Sequence, residues 1–287
     1  MALSLLTLAF TGCAAPAPLD VAARLAQLLP TDAILLGEQH DAPEHQQIER
    51  DVVAALALRG ALSAVVIEMA PRGGSTAGLP VDATEAAVQK ALHWDEGAWT
   101  WLPYAPPIMA AVHAGVLVAG GNLPRSSVRA AMADAQLDAT LPPAALEAQQ
   151  EAVREGHCGL LPESQIAPMA RVQIARDESL AQTVAGLVVP GRTVLLLAGA
   201  RHVERGAGVP LHLPAALRTK VVALRADAGD LVEEEPLQVD SAWHTPKAPP
   251  KDYCGELQHN PALPGASSLP RLRRCRVSTG SPLTSSS

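Results

Sequence analysis

The sequence predicts an α/β fold with a mostly parallel central sheet flanked by helices. Three apolar runs carry that expectation, and all three end alike. Ala33-Ile34-Leu35-Leu36 leads into Gly37-Glu38-Gln39-His40-Asp41. Ala64-Val65-Val66-Ile67 leads into Glu68, and Val194-Leu195-Leu196-Leu197 leads into Ala198-Gly199-Ala200-Arg201-His202. Unbroken apolar runs without helical period suit strands covered on both faces. A strand, a helix and a strand joined by short links make a βαβ unit. In a parallel sheet the three carboxyl ends share one edge, where open sheets usually build sites. Glu38, His40, Glu68 and His202 are therefore expected to converge.

The amino terminus comes first in the chain. Residues 1–12 are apolar, and Phe10-Thr11-Gly12-Cys13 follows. A short apolar run before small residues and a Cys is like a bacterial lipoprotein signal, cleaved before Cys13 and lipidated on it, although a positive start is missing. The other reading is an ordinary buried segment. Residues 1–13 are read as signal and lipobox, 14–18 as a tether, 19–262 as the folded domain and 263–287 as a disordered tail. The tail from Gly265 is Ser, Pro and Arg with little apolar content.

Within the domain, residues 19–29 show a helical stripe that Pro30-Thr31-Asp32 breaks. A second helix starts near Asp41 as N-cap, with Pro43 in its first turn, and Gly60 ends it after Arg59. Residues 71–80 read as a loop, 83–92 and 106–113 as helices, and 115–119 as a further strand. Residues 125–154 read as helices broken at Pro142-Pro143. A long helix over 164–188 precedes the third apolar run. A short helix over 211–217 and a strand over 221–224 follow, then a Pro-rich arm past Pro246. No internal repeat is visible.

Composition narrows the function classes. The net charge is −7, opposite in sign to a nucleic-acid binder's usual basic face. No run of about 18 apolar residues suggests a spanning helix. If Cys13 carries lipid, Cys158, Cys254 and Cys275 remain. Outside the cytoplasm a Cys158–Cys254 disulfide would clip the carboxy-terminal arm to the Gly156 loop. No CxxC pair points to a zinc knuckle or a redox dithiol.

Aromatic residues are scarce: seven in 287 residues. Trp94, Trp99, Trp101 and Tyr104 fall within eleven positions. They either pin a loop to the core or offer a flat apolar surface to a planar ligand, with Tyr104 as a polar handle.

Four segments then occur together in order: Gly37-Glu38-Gln39-His40-Asp41; the patch from Trp99 to Pro107; Gly156-His157-Cys158 followed by Met169 and Gln173-Ile174-Ala175-Arg176-Asp177; and Ala198-Gly199-Ala200-Arg201-His202 through Gly208-Val209-Pro210. Over roughly residues 20–258 this set resembles the ChaN family of bacterial lipoproteins, described as haem-binding uptake proteins. The wider group includes the erythromycin esterases and the Tiki/TraB proteins. Its members use a His after the first strand, a Glu after the second and a late His for hydrolytic or metal-dependent chemistry. The resemblance implies an EreA/ChaN-like fold and an outer-membrane or periplasmic location. It also implies haem (iron porphyrin) held at a homodimer interface, a Tyr ligand to iron, and an outer-membrane haem receptor as partner. Of Tyr104 and Tyr253, Tyr104 is assigned the ligand because it lies in the aromatic patch; a phenolate suits ferric haem. His40, Glu38, His202 and His157 are the remaining cofactor candidates.

Two functions follow. The first is a haem-binding lipoprotein of the bacterial envelope for haem or iron uptake or storage. The alternative is a hydrolase on the same strand-end residues. There His40 would be a general base oriented by Glu38 or Glu68, with His202 as a further catalytic candidate, or Glu38, His40, Glu68 and His202 would hold a divalent ion. Against the alternative, the chain has no nucleophile elbow and no HExxH. The same polar residues could also simply satisfy backbone donors and fix loops.

Overall fold

A computed structural model describes residues 19–227 and 238–259. The readings of 1–18, Cys13 among them, and of the tail with Cys275 lie outside the described residues. Six strands form one sheet: β1 (Ala33–Glu38), β2 (Leu62–Pro71), β3 (Leu117–Asn122), β4 (Thr193–Gly199), β5 (Thr219–Arg225) and β6 (Ser241–His244). Their spatial order is β3-β2-β4-β1-β5-β6, and every neighbouring pair is parallel. Every residue of β1 and β4 is buried, as unbroken apolar runs require. The register sets Glu38 beside Gly199 and Ile67 beside Leu197, so the polar residues after each run emerge on one edge.

Helices cover both faces. On one face α1 (Val21–Leu28), α2 (Pro43–Leu58) and α4 (Trp101–His113) bring Leu25, Val52, Leu56 and Ile108 against Ile34, Leu36, Val65 and Leu195. On the other, α7 (Glu163–Gly186) brings Leu180 and Val184 against Leu35, Val66 and Leu196. The alternation of side chains along each strand divides these two sets. The smaller helices α3 (Glu85–Ala91), α5 (Val128–Ala133), α6 (Pro143–Gly156) and α8 (Tyr253–His259) complete the described chain. Among the described residues, no helix is long and apolar enough to cross a membrane.

Several elements differ from the sequence expectation. Helix α4 starts at Trp101, not at 106, and runs through Pro106 and Pro107. Those prolines forgo bonds to the carbonyls of Leu102 and Pro103. Both of these residues are exposed, so water can satisfy the freed groups. Asp41 does not cap α2; Ala42 is the N-cap residue, without a side-chain bond, and Asp41 instead accepts from Gln39 Nε2 at 2.9 Å. Residues 211–217 hold no helix: a 3-10 turn, Val209–His212, takes their place. Strand β6 was not anticipated, and helix α8 lies within the arm expected past Pro246.

Helix α7 is longer than the sheet needs. Its residue Asp177 meets the end of β4 through His202. The fourteen residues of α7 before Asp177 span about 21 Å at 1.5 Å per residue. Helix α6 packs along this part, with Val153, Ile166 and Ala170 as a small core of their own. A disulfide between Cys158 and Cys254 fastens the arm after β6 to the turn of this α6–α7 hairpin.

Candidate functional site

Glu38 ends β1 and is 1 % exposed. One of its oxygens lies 2.8 Å from His40 Nδ1; the other accepts from Gln46 Nε2, one turn into α2. Glu68 lies in β2. Its Oε2 accepts the Gly199 N–H at 2.8 Å, and its Oε1 lies 3.3 Å from His202 Nε2. His202 Nδ1 in turn faces Asp177 Oδ1 at 2.5 Å. Asp177 is steadied by Gln149 of α6, whose Nε2 donates to Oδ2 at 3.1 Å and to the Ala207 carbonyl at 2.8 Å. His40 Nε2 points to the same Glu68, 3.8 Å from Oε2. It is buried and without a hydrogen-bond partner. Each histidine is thus held through Nδ1 by its own carboxylate, and both turn Nε2 toward Glu68. Gly199 permits this approach: a Cβ there would stand 2.7 Å from His40 Nε2.

Burial and charge oppose each other at every member. Burial by itself would lower His202, but Glu68 and Asp177 outweigh it and push its pKa up to about 10. His202 is therefore an imidazolium at neutral pH, donating to both carboxylates. Burial would likewise lower His40; the charge and hydrogen bond of Glu38 and the charge of Glu68 raise it on balance. Burial would raise Glu68, yet the two histidines and the Gly199 N–H hold it well below the carboxylate range. For Asp177 burial prevails over the pull of His202, and its pKa rises.

The aromatic patch closes one side. The Trp99 ring meets His40 edge-on at 4.8 Å, and the Tyr104 hydroxyl lies 3.2 Å from His40 Nδ1. Trp94 packs edge-on to Trp101 at 4.9 Å and donates Nε1–H to the Trp99 carbonyl. Trp101 Nε1 donates to Glu85 at 2.7 Å. The patch pins its loop to the core and, through Trp99 and Tyr104, also walls the His40 side.

With this geometry in place, comparison with known proteins gives a family. The family model described as haem-binding uptake, Tiki superfamily, ChaN matches residues 24–213. The chain belongs to that family. A solved structure titled as cofacial haem binding to ChaN of Campylobacter jejuni is 23 % identical, covers 76 % of this chain and 88 % of its own, and superposes with a TM-score of 0.61. That likeness shows the fold. The type III effector HopBA1 is 13 % identical with a TM-score of 0.42, over 75 % of this chain and 88 % of its own. No curated protein matches.

A ChaN-family member raises the question of where haem iron would be held. Tyr104 fits poorly as an anionic donor. It is 3 % exposed; burial first, then the charges of Glu38, Glu49 and Glu68, raises its pKa far above the usual phenol value. The group stays a neutral phenol against His40. The four strand-end residues do not stand as a ligand set for a divalent ion either. Among the described residues, no three His, Cys, Asp or Glu side chains are disposed to hold one. The Glu38 oxygens are taken by His40 and Gln46, and the Glu68 oxygens by Gly199 and His202.

Of the residues expected from sequence, Glu38, His40, Glu68, His202 and Tyr104 come together. His157 stands apart at the α6–α7 turn, where its Nδ1 bonds the Val153 carbonyl at 2.8 Å. Asp177, Gln46, Gln149, His45 and Glu49 belong to the surroundings and were not anticipated. His45 accepts the Gln39 N–H at Nδ1 and meets Thr245 at Nε2; burial lowers its pKa to about 4, so it is a neutral prop for the loop after β1. Glu49 is fully buried with neither oxygen bonded. Burial, and then Glu38, raises its pKa well above the usual carboxylate value. One sequence signal could have found two of these residues. Glu49 and Asp177 each interrupt an apolar helical stripe, between Ile48 and Val52 in α2 and between Ile174 and Leu180 in α7.

Proposed function

We propose that this chain binds haem and serves haem or iron uptake or storage at the bacterial envelope, as a lipoprotein anchored through Cys13. The observation that carries the reading is membership, over residues 24–213, of a family described as haem-binding uptake. The C. jejuni ChaN structure bears the words cofacial haem binding, which supports haem as the ligand; in this reading a homodimer closes around it. The Cys158–Cys254 bridge supports an oxidising compartment such as the periplasm. A receptor in the outer membrane would be the partner that delivers or accepts the haem. Titration of the purified chain with ferric haem tests the first part: a saturable Soret shift is expected, and its absence refutes haem binding. Fractionation tests the anchor. Cys13→Ser is expected to move the protein out of the membrane fraction, and an unchanged distribution refutes the lipid.

One observation favours a second reading. His40 and His202, each oriented by a carboxylate through Nδ1, face a common Glu68. Orientation of an imidazole by a carboxylate is what a general base needs. In this reading His40 takes a proton from water while the His202 cation steadies developing negative charge, and the chain is a hydrolase without a metal. A panel of ester substrates tests it: turnover lost in His40→Ala supports it, and no turnover by the wild type removes it.

A further inference from the structure

We infer that His45 is an acid-sensitive latch, joining the loop that carries His40 to the end of the edge strand β6 and releasing both when its ring gains a second proton. The inference is independent of the haem reading, since it concerns how two segments are held and not what the chain binds.

His45 lies in the first turn of α2 and is 0 % exposed. Its Nδ1 is 2.9 Å from the backbone nitrogen of Gln39, just past the end of β1. A backbone N–H only donates, so Nδ1 must be a bare lone pair. The neutral ring then carries its hydrogen on Nε2, which faces Thr245 Oγ1 at 3.1 Å. That hydroxyl accepts from Nε2 and passes its own hydrogen to the Arg225 carbonyl at 3.3 Å. The Thr245 N–H bonds the same carbonyl at 2.8 Å. One imidazole thus joins residues 39 and 245 where the β1–β5 ladder has stopped, after Gly37 beside Ala223.

The tautomer is the switch. A cationic imidazole carries N–H groups at both nitrogens. Nδ1–H would then stand against the Gln39 N–H, two donors 2.9 Å apart. Turning the ring over does not help, because both positions donate. In a buried place, neither donor reaches water unless the segment moves. Protonation therefore breaks the bond to Gln39 and removes the loop's tie to β6.

The surrounding charges do not cancel this conflict. Burial lowers the His45 pKa to about 4, against Glu38 of β1, Glu44 of α2 and Asp41 of the loop, which favour the cation; His40 opposes it. Glu49, one turn further along α2, is unbonded and has a raised pKa. From α4 comes Tyr104, a neutral phenol. The ends of β5 and β6 bring Arg225, Asp227 and His244, with Asp227 3.9 Å from Arg225 and 2.7 Å from His244. From α1 comes Arg24, over the Trp243 ring at 5.9 Å. The closed latch binds the proton less tightly than an opened one, where His45 meets water at its ordinary 6.5. Opening is thus favoured as pH falls through 6.5 toward 4, and gains nothing further below that.

The test is amide hydrogen exchange on the full chain between pH 7.5 and 5, each rate divided by the intrinsic rate at that pH. Protection of the Gln39 amide should fall on the order of thirtyfold over this range, the ratio that follows from 6.5 and about 4. The Thr245 amide should follow it. Both should exchange faster than Leu196 in the core of β4 at every pH, which marks opening short of unfolding. His45→Asn keeps an acceptor near the Nδ1 position and cannot take the proton, so its Gln39 protection should change little between pH 7.5 and 5. In the wild type, NMR should show the His45 ring titrating below pH 5. The latch is overturned if Gln39 protection is the same at pH 7.5 and 5, or if His45→Asn loses it as the wild type does. It is equally overturned if Gln39 is as protected as Leu196, or if the His45 ring titrates at its ordinary value.

Discussion

Asp177 of α7 and His202 at the end of β4 face each other at 2.5 Å, carboxylate oxygen to Nδ1, with Asp177 0 % and His202 5 % exposed. The pair ties the long helix to the strand end and delivers His202 Nε2 to Glu68. Replacing His202 by Ala leaves Asp177 and Glu68 as buried carboxylates without their cation. Breaking one partner of such a pair costs about 3–5 kcal/mol. Urea denaturation of His202→Ala should show a loss of that size; a change under ~1 kcal/mol would mean that water replaces the imidazolium freely.

The same pair sets a pH dependence. His202 has a folded pKa of about 10 against an ordinary value of 6.5, so the folded state holds the proton more tightly than the unfolded state. The stabilisation is complete below about pH 6.5 and is lost as pH rises through about 10. Thermal melts from pH 6.5 to 10 should show a falling Tm in the wild type and a flatter profile in His202→Ala. Parallel profiles would remove His202 as the cause.

Gly199 offers a sharper probe of His40, because it changes no charge. A Cβ at that position meets His40 Nε2 at 2.7 Å and Cε1 at 3.3 Å. Gly199→Ala must move the imidazole or the β4 backbone, and overpacking of this kind typically costs about 1–3 kcal/mol. The NMR signals of His40 should shift while those of His157 stay. Unmoved His40 signals with full stability would show that the approach of His40 to β4 is not tight.

Glu49 should be a net cost to the fold. It is buried and unbonded, and burial and then Glu38 raise its pKa. Its folded pKa is raised, so the wild type loses stability as pH rises above about 4.5, the ordinary glutamate value. Gln has the same shape and does not titrate. The stability of Glu49→Gln relative to wild type should therefore increase from pH 5 to pH 8. A constant difference would place a bonded, ionised carboxylate at this position.

How far the sequence could be read follows from what each residue is buried against. β1, β2 and β4 were legible because they are covered on both faces, so nearly every side chain is apolar until the strand ends. Glu38 and Glu68 were legible as the first polar residues after those runs, and His202 as the second, just after Arg201. β6 was not: Ser241-Ala242-Trp243-His244 is a four-residue edge strand with Trp243 as its one buried side chain, too short for a pattern. The start of α4 was hidden by prolines that the helix tolerates where its freed carbonyls are exposed. Asp177 lay within the quoted segment Gln173-Ile174-Ala175-Arg176-Asp177, but its role depends on His202, 25 residues away. The sealing of Tyr104 could not be read at all, since it depends on Glu38, Glu49 and Glu68 arriving from other elements.

The disulfide controls both stability and the arm. It joins Cys158 to Cys254 across 96 residues, and loops of this length give about 4–5 kcal/mol in the chain-entropy view. The arm returns some of that when cut, because it is weakly held. Trp243 and Thr245 are buried, whereas beyond Thr245 the described residues are half-buried or exposed. A Cys158→Ser, Cys254→Ser double variant should therefore lose about 2–5 kcal/mol in urea denaturation. It should also be cut first by a protease within residues 246–258, with β6 still protected by Trp243 under Arg24 and by Thr245 against His45. Equal stability and equal resistance to the protease would show that the arm holds its place without the bridge.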